Sequence, residues 1–479
     1  MLQSGFELAS RRMLEHASSG AITFALVYLT FFLDNVLLTV LVPIIPDWVR
    51  GESLELWSQH ETPLVKLLNN TVRHVTDQGK LVGTSQAIVG AVLGSKAAAQ
   101  LATAPAAAAL VMTRGPTTCL RLATAILTIA ALTFGVCAGD AGGGAVCAGL
   151  GRATQGAGAA LAGVGGLTLV ARSLSDAHGA LAALLGAVAL GVLVGYPFGG
   201  AAYKLWSPGA PFQLIAFVLL INLALQFLYL NKDEYTMIPC VCPAPCVCPT
   251  PRDASSSGIT CMYVEARSGS TGWCAGAVLL TTSVMAALEP CLPLWIMDRF
   301  HPQRWALGAV FIPDSAGYLL ASVSGAWWVA VGAERVAVSA VACVGLAALA
   351  LPHAPSVSWL SLPQLLSGLG LGAADAALVP ALLARAPPAV LAARAALLQA
   401  ASSAAYAIGP VVGGLFSWAA GFESAMMVLG AANAVYAVFL YRMLRKYPIS
   451  AQWGACESPE ETDLEGEEMT PLKTQKPPR

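Results

Sequence analysis

Residues 22–45 read ITFALVYLTFFLDNVLLTVLVPII, an apolar run that carries one acidic residue, Asp34, followed at once by Asn35. The run is long enough to cross about 30 Å of hydrocarbon as a helix. An ionised carboxylate at that depth costs at least about 2.5 kcal/mol, and such residues mark ion or proton pathways. Pro43 and Pro46 close the run, and a membrane helix tolerates proline best beside a protein-lined cavity. Asp34 therefore reads as a cation or proton site within a transport path.

The whole chain has the composition such a segment demands. Of its 479 residues, 56% are hydrophobic and 11% charged, against roughly 25% charged in an average soluble domain. This is the composition of a polytopic membrane protein, with the lipid bilayer as its first partner. The formal net charge of −1 gives no footprint for nucleic acid. The start, MLQSGFELASRRMLEHASSG, has no apolar core ahead of a small-residue cleavage site, so the first apolar segment is expected to stay as an anchor. No nucleophile and base stand in a pattern that would support hydrolysis, and the reading is not an enzyme.

Windows of about twenty apolar residues predict helices near 22–45, 82–112, 118–138, 144–171, 179–204 and 211–231, then near 272–298, 305–331, 335–353, 358–384, 391–418 and 421–445. The organisation that follows is an N-terminal segment 1–21, a six-helix half 22–231 with a long loop 46–81, a linker 232–271 read as a loop, a second six-helix half 272–446, and an acidic tail 447–479. Twelve crossings put both termini on one face. Arg11, Arg12, Arg114, Arg121, Arg172, Lys232 and Arg252 fall on that face, which the positive-inside rule makes cytosolic. The opposite long loop carries a glycosylation sequon at Asn69. The halves also echo each other: GYPFGG, with Gly195, Pro197 and Gly199, answers GPVVGG, with Gly409 and Pro410, while Glu289, Pro290 and Pro293 answer the acid and prolines of the first helix. Two six-helix halves in parallel repeat are the architecture of the major facilitator superfamily, with a substrate site near the midplane.

Five charges sit deep in the apolar segments: Asp34, Lys96, Arg152, Glu289 and Asp375. In hydrocarbon they must face the bundle interior and pair, so Lys96 is expected to bind Asp34 or another acid. Two readings stand. Either the pairs are static and fix helix register, or a pair opens when a proton or substrate arrives, which is exchange chemistry. Asp314 falls near a predicted helix end, where it is expected to reach water, and is left outside the site. Cys119, Cys137, Cys147, Cys274, Cys291 and Cys343 lie in or beside apolar segments and read as packing residues. The cluster Cys240, Cys242, Cys246 and Cys248 does not have a standard zinc spacing; a reduced flexible linker, S-palmitoylation and metal binding remain open for it. The glycine-rich run 151–166 lacks a preceding strand and a following Gly-Lys-Ser/Thr, so it reads as close helix packing rather than a nucleotide loop.

The order of motifs carries a family resemblance. Asp34-Asn35 followed by LLTVLVPIIP, GSKAAAQLATAP around Lys96, GRATQGAG around Arg152 and GVLVGYPFGG are followed by LEPCLPLWIMD around Glu289, RWALGAVFIPDSAGYL, GLGLGAADAALVP around Asp375 and YAIGPVVGG. In this order the chain resembles the vesicular amine transporters, its wording closer to the monoamine than to the acetylcholine branch. The resemblance implies proton-coupled exchange of a cytosolic monoamine (serotonin, dopamine, noradrenaline or histamine) for lumenal protons in secretory or synaptic vesicles. It implies no bound cofactor, only a gradient made by a vesicular proton pump. By the same resemblance Asp34 is the amine-binding and coupling acid, with Asn35 beside it and Lys96 as charge partner. Glu289 is the cavity acid, Asp375 the proton-coupling acid, and Tyr318 and Tyr406 the cavity tyrosines, whose rings suit an ammonium ion. The chain departs from the pattern at Asn222 and Gln399, which stand where the family has acids in helices six and eleven. The lumenal disulfide expected between the long loop and the loop after helix seven has no cysteines to form it. An acetylcholine or broader organic-cation carrier, or a non-transporting descendant, are the alternatives.

Overall fold

The computed structural model describes residues 2–41, 71–138, 144–205, 207, 209–230, 254–301 and 309–449. Among these there is no strand. The first half holds α1 (Leu2–Leu41), α2 (Thr71–Arg114), α3 (Pro116–Cys137), α4 (Gly144–Ser173), α5 (Ala177–Leu205) and α6 (Ala210–Tyr229). After α7 (Ala254–Arg267), the second half holds α8 (Gly269–Phe300), α9 (Ile312–Val323), α10 (Gly325–Val331), α11 (Ala333–Ala350), α12 (Ser361–Leu383), α13 (Pro388–Ala420) and α14 (Phe422–Lys446). Ten helices among the described residues are long and apolar enough to cross a membrane. Leu228, Phe227, Val136, Val435 and Leu415 stand exposed on their outer faces, as side chains facing lipid do.

Several expectations need correction. The first helix begins at Leu2 rather than near residue 22, so residues 2–21 continue it. The linker read as a loop over 232–271 contains α7; its small Ala-Ser-Ser-Ser-Gly start gives no apolar periodicity to see. The eighth segment is two helices that meet at Ser324 rather than one, since Ser324 leaves the helical run with its hydroxyl on the Leu320 carbonyl. Cys137 and Cys147 do not merely pack: they form a disulfide across the α3–α4 connection. Pro43, Pro46, Asn69, the four-cysteine cluster and residues 450–479 lie outside the described residues.

The internal echo seen in the sequence is also an echo in packing. In the first half α1 pairs with α5, α2 with α4, and α3 with α4 and α6; in the second, α8 pairs with α13, α9 with α12, and α11 with α12 and α14. Small residues permit these pairings. A Cβ on Gly195 of α5 would strike the Thr39 side chain of α1, and one on Gly409 of α13 would lie 2.7 Å from Ala286 Cβ of α8. The two glycine motifs thus occupy equivalent seams, each holding the acid-bearing helix of its own half. Gly199 continues the first seam against Val40, while Pro197 is exposed.

The core divides unevenly between the two faces of the bundle. On the face of the chain termini one continuous apolar core joins both halves, with Val27, Val111, Leu161 and Leu181 against Val278, Leu382, Leu391 and Leu398. On the distal face each half keeps its own core: Leu37, Phe134 and Leu219 in the first, Leu288, Trp295 and Met426 in the second. Among the described residues, the halves therefore share one core on the terminal side and keep separate cores on the distal side.

Candidate functional site

A cavity of about 310 Å³ lies between the halves. It is lined from the first half by Asp34, Asn35, Lys96 and Arg152, and from the second by Glu289, Tyr318, Asp375 and Tyr406. Eight residues singled out in the sequence thus converge on one space. Phe31, Phe311 and Pro410 add apolar surface to its walls.

The first-half wall is a bonded cluster. Lys96 Nζ lies 3.2 Å from Asp34 Oδ2, and Gln155 Nε2 donates to Asp34 Oδ1 at 2.9 Å and to the Asp34 carbonyl at 3.0 Å. Asp34 thereby keeps a charged partner and a neutral donor. Gln155 follows Arg152 by three residues on α4, so both face α1; Arg152 donates from Nη2 to the Leu38 carbonyl at 3.3 Å. Asn35 is turned back along its own helix, donating to the Phe31 carbonyl at 2.8 Å.

The second-half wall is built on proline-interrupted helices. Pro293 on α8 has no N–H for the Glu289 carbonyl, and Pro410 on α13 none for that of Tyr406. The ladder is weakest where these side chains enter the cavity. Glu289 lies within the fields of Arg152 and Lys96 across the gap. Tyr318 Oη donates to Asp375 Oδ2 at 2.8 Å, tying α9 to α12.

The two departures from the family pattern separate here. Gln399 lines the cavity. Asn222 does not: fully buried on α6, it donates to Thr30 Oγ1 at 2.8 Å, beside Gln226, which donates to Thr30 at 3.1 Å and to Thr124 at 2.9 Å. That neutral network among α1, α3 and α6 stands away from the cavity. Two residues of the site escaped the sequence reading, Gln155 as a hydrogen-bond partner of Asp34 and Asp314 as a cavity wall. Gln155 was hidden within a run read for its glycines, and Asp314, expected to reach water, is 4% exposed and lines the cavity. Its position one turn into α9 looked like a helix end in contact with solvent, but α12 covers it.

Comparison with known proteins bears on the fold and the kind of protein this chain is similar to. The sequence profile of the Major Facilitator Superfamily matches residues 274–473. The synaptic vesicular amine transporter of Bos taurus is 25% identical over 491 aligned residues, covering 91% of this chain and 90% of its own. The chromaffin granule amine transporter of Homo sapiens is 29% identical over 58% of this chain and 51% of its own, and the vesicular acetylcholine transporter of Drosophila melanogaster 24% over 92% and 74%. Among solved structures, the human organic anion transporter MFSD10 superposes with a TM-score of 0.66 at 17% identity, covering 89% of this chain and 99% of its own. The chain is similar to the vesicular amine transporters over most of its length and has the major facilitator fold. The resemblance read from the motif order is borne out, and relatives and fold are those of transporters rather than enzymes. The major facilitator fold explains why the cavity falls between two repeats, each contributing one wall.

Proposed function

We propose that this protein is a proton-coupled antiporter that loads an organic amine, a monoamine such as serotonin, dopamine, noradrenaline or histamine, from the cytosol into an acidic vesicle. The observation that carries the reading is the charge balance of the cavity. Four carboxylates, Asp34, Glu289, Asp314 and Asp375, line it with two cations, Lys96 and Arg152. Uncompensated negative charge in a low-dielectric cavity is costly and is relieved by a bound cation or a proton. Competition between the two for the same carboxylates is the elementary basis of exchange. Aromatic side chains beside those acids favour an ammonium ligand.

The sidedness of the chain fits this proposal. Disulfides persist in oxidising compartments such as the secretory lumen. Cys137 and Cys147 lie at the end of α3 and the start of α4, on the distal face. On this reading the distal face is lumenal and the terminal face cytosolic, the assignment that the arginine bias also favours. The sealed terminal side then corresponds to a lumen-facing carrier, poised to release amine and accept protons.

The test is uptake of labelled serotonin into acid-inside vesicles containing the full chain, with and without a proton ionophore. Ionophore-sensitive accumulation supports the proposal; accumulation indifferent to the gradient removes proton coupling. Similarity to acetylcholine carriers over most of the chain makes labelled acetylcholine the parallel substrate. It is a quaternary ammonium with no N–H to donate, so preference for it would place recognition in the aromatic rings rather than in hydrogen bonds to carboxylates.

A further inference from the structure

The four cavity carboxylates are not equally provided for. Asp34 has Lys96 and Gln155, and Asp375 has the Tyr318 hydroxyl. Glu289 lies within reach of the fields of Arg152 and Lys96. Asp314 differs from all three. Its Oδ1 is buried without a hydrogen-bond partner, and the charge that acts on it is another acid, Glu289.

Asp314 is also held in place. It lies in the first turn of α9, behind Pro313, where helix N–H groups offer an anion only a partial positive charge. A Cβ on Gly368 of α12 would collide with the Asp314 carbonyl, so α12 closes against it too tightly for the backbone to turn the carboxylate out to water. The groups that face this space are Glu289 on α8, Tyr318 on α9, Asp375 on α12, Gln399 and Tyr406 on α13, and Asp34, Lys96 and Arg152 across the cavity. The cations among them stand on the opposite half, where Lys96 is committed to Asp34.

We propose that Asp314 is a second ammonium anchor, forming with Glu289 a two-carboxylate subsite on the second-half wall that receives the charged nitrogen of the amine. Phe311 and Tyr318, which flank Asp314 on the chain and line the same cavity, receive its apolar part. This inference rests on the amine-carrier reading and relocates its anchor: the ligand binds without first opening the Asp34–Lys96 pair, which remains available for proton coupling. An uncompensated carboxylate then meets a cation that brings its own N–H donors, a charge-assisted contact.

The experiment is equilibrium binding of labelled serotonin to the purified full-length protein, comparing wild type with Asp314→Asn, Asp314→Glu and Asp34→Asn, together with thermal unfolding of each without ligand. Expected is a weakening of Kd by about tenfold or more in Asp314→Asn, the scale of one charged hydrogen bond. Asp314→Glu should bind within a few-fold of wild type, and the unliganded melting temperature of Asp314→Asn should be unchanged or higher, because a buried uncompensated charge has gone. Binding by Asp314→Asn within twofold of wild type overturns the subsite while leaving the amine reading intact. A weakened Kd accompanied by a lowered melting temperature assigns Asp314 a structural part and also overturns it. Absence of saturable wild-type binding of serotonin, dopamine, noradrenaline and histamine removes the amine reading, and the subsite with it.

Discussion

At the scale of single residues, the Asp34–Lys96–Gln155 cluster shows how a membrane bundle holds a charge. The pair is buried on both sides, so removing one partner strands the other, a loss of about 3–5 kcal/mol where it has been measured in buried pairs. Lys96→Met is expected to lower the melting temperature in detergent by several degrees. The double variant Asp34→Asn/Lys96→Met, which leaves no charge behind, should recover most of it; equal destabilisation of the two would show that the pair contributes little. The reverse test applies on α6. Asn222→Asp restores an acid, but within a fully buried neutral network whose partners are hydroxyls and an amide. It should destabilise the fold by at least about 1–3 kcal/mol, read as a lower melting temperature, without raising uptake. Which of these residues could be seen in the sequence follows from contrast. Asp34, Lys96, Glu289 and Asp375 stand out because apolar neighbours make a charge anomalous. Gln155 is uncharged and Asp314 sits near a segment end, so neither is anomalous until neighbouring helices are in place.

At the scale of elements, α7 is the part the sequence concealed. Its apolar positions are few because it does not cross the membrane. It packs against α2, α8 and α13 on the terminal side, and its Glu265 meets Arg394 of α13, Oε2 to Nε, at 2.6 Å with both side chains largely buried. A contact to α2 on one flank and an ion pair to α13 on the other make α7 a strap across the two halves. Glu265→Ala removes the carboxylate from a buried guanidinium, so the penalty should reach about 3–5 kcal/mol. The expected observation is a lower melting temperature together with faster alkylation of terminal-side cysteines by an impermeant maleimide. Alkylation at the wild-type rate would mean that α7 does not hold that side closed. The long crossing helices were legible from hydropathy alone, and their paired contacts follow from the glycine motifs. The break at Ser324 and the helicity of α7 depend on packing between elements that are far apart in sequence.

At the scale of the whole molecule, two observations made independently point the same way: arginine accumulates on the terminal face, and the disulfide forms on the distal one. The proposed exchange requires that the faces be assigned, because a proton gradient has a direction. With the lumen on the distal side, Cys137 and Cys147 are oxidised in the maturing protein and beyond reach of a reagent added outside intact vesicles. Closing this short loop is also worth about 2–3 kcal/mol by the chain-entropy account, so Cys137→Ser/Cys147→Ser should fold with reduced stability. The sidedness experiment compares that double variant with wild type after treatment with a membrane-permeant reductant. An impermeant maleimide added outside sealed, cytosolic-side-out vesicles should label the two proteins equally, because these thiols face the lumen. After permeabilisation the wild type should gain up to two labels over the variant. A wild-type excess before permeabilisation would put the distal face in the cytosol. The sealed core seen here would then close the lumenal side, and the amine would be entering, not leaving, the open cavity.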